Sequence, residues 1–141
     1  MRQQRTIEYL GFTIRCLLLS KDEDAPTIYG EVFREDAVGG VARSDGNQFT
    51  VWFRDIPPMN AMVHETYHLF CYLMETMNGE TLFSWNELNT EIYAYGFHTL
   101  FDRVSDTFTG MPLYKRMYEE YKEQVKKIDF DDMLLRTYYL L

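Results

Sequence analysis

Two histidines and a glutamate stand close together near the middle of the chain. Residues 64–68 read His-Glu-Thr-Tyr-His, an H-E-x-x-H pattern. Residues four apart share one face of a helix, so His64 and His68 can offer two imidazole nitrogens to a single metal ion. Glu65 lies beside His64, where its carboxylate can reach a water molecule on that metal. A zinc-dependent hydrolase needs such an arrangement, together with a third ligand from elsewhere.

The third ligand is expected from the helix that follows the motif helix. Glu87, Glu91 and His98 are spaced four and then seven residues apart, so they share one helix face. Glu87 also completes an S-x-x-E capping box that begins at Ser84, which gives it a structural task. Glu91 has no such task and is followed by the small Ala94. We therefore predict Glu91 as the third zinc ligand, with Glu87 and His98 as alternatives.

Each candidate also has an ordinary structural interpretation. The residues near His98 in the sequence are aromatic, as is typical of a protein core. His98 is therefore as well explained as a hydrogen-bonded core histidine as by a role at the metal site. His64 and His68 can likewise be core histidines, with Glu65 as the partner in a salt bridge. Two of the three histidines in the protein fall within the motif, and this favours the metal site.

The motif lies within a strongly apolar helical segment. Pro57-Pro58 closes the preceding β-rich part, and Pro58 suits the first turn of a helix. The pattern is helical from Met59 to Met77, and Asn78-Gly79 is a C-cap signal. Apolar residues surround the motif on nearly every side, which predicts a buried helix. Buried imidazole and carboxylate groups need a compensating partner, and a metal ion supplies one.

The first 56 residues favour β-structure. Residues 1–20 predict one long or broken strand, with Gly11 at a possible bulge. Ile28 to Phe33 is a short strand candidate, and residues 35–40, with Gly39-Gly40, predict a turn.

A β-hairpin is expected next. Asp45-Gly46 separates Val41–Arg43 from Gln48–Phe53, and Asp-Gly favours a tight turn. Phe49, Val51 and Phe53 should face one side of the sheet, and Thr50 and Trp52 the other.

Three further helical segments follow the motif helix. The capping box predicts a helix from Ser84 to about Val104, and residues 105–110 predict a break. Pro112 opens the next helix, and the tail from Asp129 suits a short packing helix. The chain is therefore expected to form one α+β domain over residues 1–141. Its small N-terminal antiparallel or mixed sheet of three to four strands, over residues 1–56, would pack on three to four helices.

Composition narrows the classes of function. The net charge of −8 argues against nucleic-acid binding, which requires a basic surface. Cys16 and Cys71 are too few for a disulfide framework, which favours a reducing compartment. The sequence shows neither a transmembrane segment nor a signal peptide, so we expect a cytoplasmic protein without a membrane partner.

With these residues in place, the chain resembles the zincin metallopeptidases. Within them it looks like the glutamate-liganded branch, and more closely like the small intracellular ImmA/IrrE-type peptidases of bacteria and phages. The matching segment on the second helix is Glu91-Ile92-Tyr93-Ala94-Tyr95, and the likeness covers Gln48 to about Leu100. Two positions depart from these patterns. Tyr95 stands where thermolysin-like proteins have aspartate, and Tyr93 stands where ImmA-type proteins have asparagine.

The resemblance implies a zinc-dependent peptidase acting on a peptide or protein. Zn²⁺ would be bound by His64, His68 and Glu91, with Glu65 as general base. By the same analogy, the strand Gln48–Phe53 would lie at a sheet edge and pair with an extended substrate. Two other classes stay open. One is a non-catalytic zincin-like module that keeps zinc as a structural ion, with His98 as fourth ligand. The other is an acidic interaction protein in which the motif is fortuitous.

Overall fold

Strands form the first part of the chain and helices the second. The computed structural model describes residues 1–23, 27–28, 31–33, 37–44, 46–78 and 87–140, with side chains for all of these except 27–28, 31–32, 78, 87–90 and 128–140. The strands are β1 (Arg2–Tyr9), β2 (Phe12–Leu19), β3 (Thr27–Ile28), β4 (Glu31–Val32), β5 (Gly39–Arg43) and β6 (Gln48–Arg54). The helices are α1 (Met59–Asn78), α2 (Glu87–Thr109) and α3 (Pro112–Leu140). The predicted α+β fold is confirmed.

Four of the strands form a mixed sheet in the order β1-β2-β6-β5. Strands β2 and β6 are parallel, and the other two pairs are antiparallel. The prediction that Gln48–Phe53 lies at a sheet edge is therefore wrong. Residues 49–53 are buried at every position, which is typical of a strand covered on both faces and paired on both sides. In this sheet the edges are β1 and β5.

The first 20 residues form a hairpin of two paired strands, so the prediction of one long or broken strand with a bulge at Gly11 is wrong. Strand β1 pairs with β2 from Arg2↔Leu19 to Tyr9↔Phe12. Leu10 and Gly11 make the turn, with φ angles of 51° and 81°. Positive φ at both central residues is the geometry of a type I′ turn, whose backbone twist suits a two-residue hairpin.

The hairpin predicted around Asp45-Gly46 is confirmed for its strands. Strand β5 pairs with β6 from Gly39↔Phe53 to Arg43↔Phe49, and Asp45 itself lies outside the described residues. The turn predicted over residues 35–40 does not include Gly39-Gly40, because both glycines lie in β5, and residues 35 and 36 lie outside the described residues. A Cβ atom on Gly40 would come within 2.8 Å of the Trp52 indole nitrogen and 2.6 Å of the Phe33 ring. The glycine allows this close packing.

The strand candidate Ile28–Phe33 instead covers parts of two short antiparallel strands. Strands β3 and β4 pair through Thr27↔Val32 and Ile28↔Glu31. They form a two-stranded sheet separate from the larger one.

Helix α1 confirms the prediction of a helix from Met59 to Met77. Pro58 accepts the first backbone hydrogen bonds, from Ala61 and Met62, so the helix begins directly after it. Glu87 is the first residue of α2, whereas Gly79 and the predicted cap at Ser84 lie outside the described residues.

The predicted break over residues 105–110 is wrong, since α2 continues to Thr109. Val104 and Phe108 extend its buried face, and the hydroxyl of Thr107 donates to the Arg103 carbonyl. The separate tail helix is also wrong, because α3 is continuous to Leu140. None of the helices in the described part of the chain is long and apolar enough to cross a membrane.

The core lies between one face of the sheet and the helices. As predicted, Phe49, Val51 and Phe53 face this side, where they pack with buried residues of α1 and α2 such as Leu73 and Phe108. Trp52 faces the other side. It packs there with Leu17, Leu19 and Ala42 in a smaller cluster, which Phe33 and Ala37 partly cover. The motif helix is therefore held by the core side of the sheet.

Candidate metal centre

The two motif histidines converge on one point. Their Nε2 atoms are 3.1 Å apart, and their rings are steeply inclined at 78° with centroids 4.6 Å apart. Two nitrogens bound at about 2.0–2.1 Å to a tetrahedral zinc ion lie about 3.3 Å from each other. The observed separation therefore fits two ligands of a single ion.

The face of α1 that carries the histidines is open to solvent. Met62, Leu69 and Leu73 turn the other face into the core, whereas His64 and His68 are exposed. The prediction of a helix buried on nearly every side is therefore wrong. Apolar residues on the outer face are left partly exposed, among them Val63, Tyr67 and Tyr72. An exposed site is accessible to a metal ion and to a large substrate.

Glu65 occupies a drier position than the histidines. Its side chain is half-buried, and this burial raises the pKa of the carboxyl, while the charges of His64 and His68 lower it. Residues seven apart share a helix face, so Glu65 lies on the same side of α1 as Tyr72. The Tyr72 ring stacks on Phe49 of β6, with centroids 6.5 Å apart. Glu65 therefore lies on the side of α1 that faces the β5–β6 hairpin.

Ring contacts define how α1 and α2 lie against each other. Tyr67 meets Phe97 with ring centroids 6.0 Å apart, and Phe70 meets both Phe97 and Tyr93 at 5.9 and 6.4 Å. A later position on α1 thus meets an earlier position on α2, so the two helices are antiparallel. Because Tyr67 belongs to the motif segment, its contact with Phe97 shows that the part of α2 around Phe97 lies beside the motif.

Glu91 and His98, the candidates for the third ligand whose side chains are described, lie at different positions along the axis of α2. Glu91 is exposed and lies six residues before Phe97, about 9 Å along the helix axis. His98 is next to Phe97 and is also exposed, so the aromatic core expected around it is absent from the described surroundings. Its Nε2 atom lies 3.1 Å from a carboxylate oxygen of Asp102. The side chain of Glu87 lies outside the described residues.

The described side chains do not assemble a complete set of ligands. Among them, no group of three or more histidine, cysteine, aspartate or glutamate residues is placed to hold a metal ion. His64 and His68 are brought together, Glu65 lies beside them, and neither Glu91 nor His98 joins them. Glu91 as third ligand stays a prediction.

Tyr67 is a residue of this site that the motif alone did not single out. The residue is 52% exposed, and its hydroxyl bonds to the thiol of Cys71. Burial raises the pKa of the Cys71 thiol, and the bond from Tyr67 lowers it. The signal was present in the sequence, because residues three apart on a helix are neighbours and Tyr67 lies three after His64.

No protein-family model, curated protein or solved structure matches the chain. The likeness to the zincin metallopeptidases therefore rests on the residues themselves. These are the H-E-x-x-H segment at 64–68, where the histidine nitrogens converge, and the segment 91–95 on the helix that packs against it.

Proposed function

We propose that this protein is a zinc-dependent peptidase with Glu65 as its general base. The observation that carries the proposal is the 3.1 Å separation of the His64 and His68 Nε2 atoms, with the half-buried Glu65 beside them. The two histidines would bind the ion. Zinc, when bound, lowers the pKa of a water ligand and polarises the carbonyl group of the substrate.

Glu65 moves the protons of the reaction. Its carboxylate takes one proton from the attacking water, whose oxygen forms the new bond to the peptide carbon. The protonated carboxyl then delivers that proton to the amine nitrogen as the carbon–nitrogen bond breaks. The products are a carboxylic acid and an amine, and Glu65 ends the cycle as a carboxylate.

Strand β5 offers a way to bind the substrate backbone. It lies at an edge of the described sheet and packs beside α1, whereas β6 is internal. An extended peptide can add to a sheet edge through main-chain hydrogen bonds, with little dependence on its sequence. We assign this role to β5 in place of Gln48–Phe53.

One observation favours His98 over Glu91 as the third ligand. Histidines that bind metals commonly use their second ring nitrogen to hydrogen-bond a carboxylate, which fixes the orientation of the ring. Asp102 is in that relation to His98, and His98 is level with Tyr67. His98→Gln and Glu91→Gln variants distinguish the two candidates, because only loss of the true ligand lowers zinc affinity by about 10-fold or more.

The test of the proposed function is Glu65→Gln in zinc-loaded protein, assayed on denatured casein. We expect zinc content to remain and hydrolysis to fall by about 10²–10⁴-fold, because the proton acceptor is lost. Glu75→Gln is the matched control, since Glu75 is also half-buried on α1. His64→Ala and His68→Ala should each lose zinc. Full hydrolysis by the Glu65 variant would contradict the mechanism.

A non-catalytic zinc-binding module is the second candidate. The contact of His98 with Asp102 favours it, because His98 as an added protein ligand would close the coordination sphere. In that case the wild-type protein would bind zinc tightly and leave casein intact.

A further inference from the structure

Helix α3 carries an apolar face that the described part of the protein leaves exposed. Its first turns are anchored in the core through Leu113 and Met117. Beyond them, Tyr118, Tyr121 and Val125 are 42%, 53% and 37% exposed. These three residues are spaced three and four apart, so they form one stripe on a helix. The helix has 29 residues and is about 43 Å long, so the stripe runs well beyond its anchored end.

The stripe follows the seven-residue repeat of a coiled coil. Steps of four and three along α3 give a series that continues by sequence to the end of the helix: Tyr114, Tyr118, Tyr121, Val125, Ile128, Asp132, Leu135 and Tyr139. Seven of these eight positions are apolar or aromatic. Alternating steps of three and four mark the seam at which two helices pack side by side. A single charged residue in such a seam favours one register over others.

Charges are unevenly distributed along α3. Residues 112–127 hold five basic and three acidic residues, a net charge of +2. Residues 128–140 hold one basic and three acidic residues, a net charge of −2. The helix is therefore neutral as a whole but has a basic first half and an acidic second half. A second copy of α3 that runs in the opposite direction therefore has the complementary distribution of charge.

We propose that the protein forms a homodimer in which the α3 helices of two copies pair antiparallel along this stripe. One register continues the seam and pairs opposite charges at its centre. It places Val125 opposite Ile128 of the second copy, and Lys122 beside Asp129 of the second copy. Both contacts occur twice because the pairing is symmetric.

The charge pattern favours a second copy over an unrelated partner. An antiparallel arrangement brings each basic half against an acidic half, whereas a parallel one would bring like halves together. The remainder of the chain carries the whole net charge of −8, whereas two copies of α3 have no net charge to repel each other.

Sedimentation velocity of the full chain, across a concentration series from the low micromolar range upward, tests the proposal. We expect a concentration-dependent dimer, and monomer for Val125→Glu, because a carboxylate would be buried in the seam. The circular dichroism spectrum of this variant should match that of the wild type, since Val125 lies outside the core clusters. A monomeric wild-type protein at all concentrations, or a Val125→Glu variant that still dimerises, would overturn the proposal.

Charge exchange tests the antiparallel direction. Lys122→Glu should weaken the dimer by at least about 10-fold, and Lys122→Glu combined with Asp129→Lys should restore it. Lys126→Glu is the matched control, since Lys126 lies outside the stripe and contacts Glu123 much as Lys122 contacts Glu119. Equal effects of the two lysine variants, or no restoration by the double change, would refute the register.

Discussion

Thr66 lies within the motif but on the opposite side of α1 from the histidines. Its side chain is fully buried, and its hydroxyl has no hydrogen-bond partner among the described residues. A buried hydroxyl without a partner loses its bonds to water and gains none in exchange. This threonine therefore reduces the stability of the motif helix and has no part in the metal site.

We expect Thr66→Val to stabilise the protein by about 1 kcal/mol, since it removes the desolvated hydroxyl and keeps the branched shape. Thermal unfolding should show a rise in Tm of roughly 3 °C. Thr107→Val is the control, because the Thr107 hydroxyl is bonded to Arg103 and its loss should lower Tm slightly. A fall in Tm for Thr66→Val would show that the hydroxyl is satisfied in solution.

The two cysteines differ in their surroundings. Cys16 is fully buried in β2, and burial raises the pKa of its thiol to about 12. Cys71 is only half-buried, and the bond from Tyr67 partly offsets the effect of burial on its pKa. The thiolate is the reactive form, so the thiol with the lower pKa and greater access reacts first.

N-ethylmaleimide at pH 7.5 should therefore modify Cys71 in the folded protein and leave Cys16 unmodified until urea is added. Raising the pH should speed the labelling of Cys71, because more of the thiol ionises. Mass spectrometry of digested samples locates the label, and Cys71→Ser should abolish it. Equal labelling of both cysteines without denaturant would contradict the burial of Cys16.

At the scale of elements, the turn between β1 and β2 has an unfavourable residue. Leu10 has a φ of 51°, although its side chain is 57% exposed and gains little from packing. The left-handed region is costly for most L-residues and is tolerated by glycine and asparagine.

Leu10→Asn should stabilise the protein by about 1 kcal/mol, because asparagine adopts positive φ more readily. Urea unfolding followed by circular dichroism measures the change. Leu10→Val should act in the opposite direction, since a β-branched side chain is worse in this region. If both variants lower the midpoint, the turn adopts another conformation in solution.

Local patterns predicted some elements well and others poorly. The motif helix and the β5–β6 hairpin were predictable, because helical periodicity and an Asp-Gly turn are strong short-range signals. The β1–β2 turn was missed, since Leu10-Gly11 lacks the usual asparagine or aspartate at its first position. The end of α2 was missed because its polar residues resemble a break, whereas Val104 and Phe108 keep the helix packed in the core.

At the scale of the whole molecule, contacts distant in sequence determine what could not be predicted. The fold class follows from strands before helices, but the internal position of β6 depends on its parallel pairing with β2. The candidate site likewise has one part that the sequence predicts and one part that it does not. The convergence of His64 and His68 follows from helix geometry, whereas the third ligand depends on the relative height of α1 and α2. Single-sequence patterns do not determine that height.

Zinc should stabilise the whole molecule if the histidine pair binds it. A ligand at 100 times its Kd adds about 2.7 kcal/mol, or roughly 8 °C in Tm, when it binds only the folded state. Differential scanning fluorimetry with and without zinc measures this shift. His64→Ala should abolish the shift and His98→Gln should reduce it, whereas removal of zinc with EDTA should reverse it. An unchanged Tm in zinc would count against a metal centre.

The parallel pairing of β2 with β6 also sets an order of events during synthesis. The paired residues are 35 positions apart, as in Thr13↔Gln48. At synthesis rates of about 5–20 residues per second, each residue of β2 is made roughly 2–7 s before the residue of β6 with which it pairs. During that time the finished β1–β2 hairpin leaves the backbone groups along one edge of β2 unpaired. That edge is therefore open to pairing with another chain until Arg54 has left the ribosome.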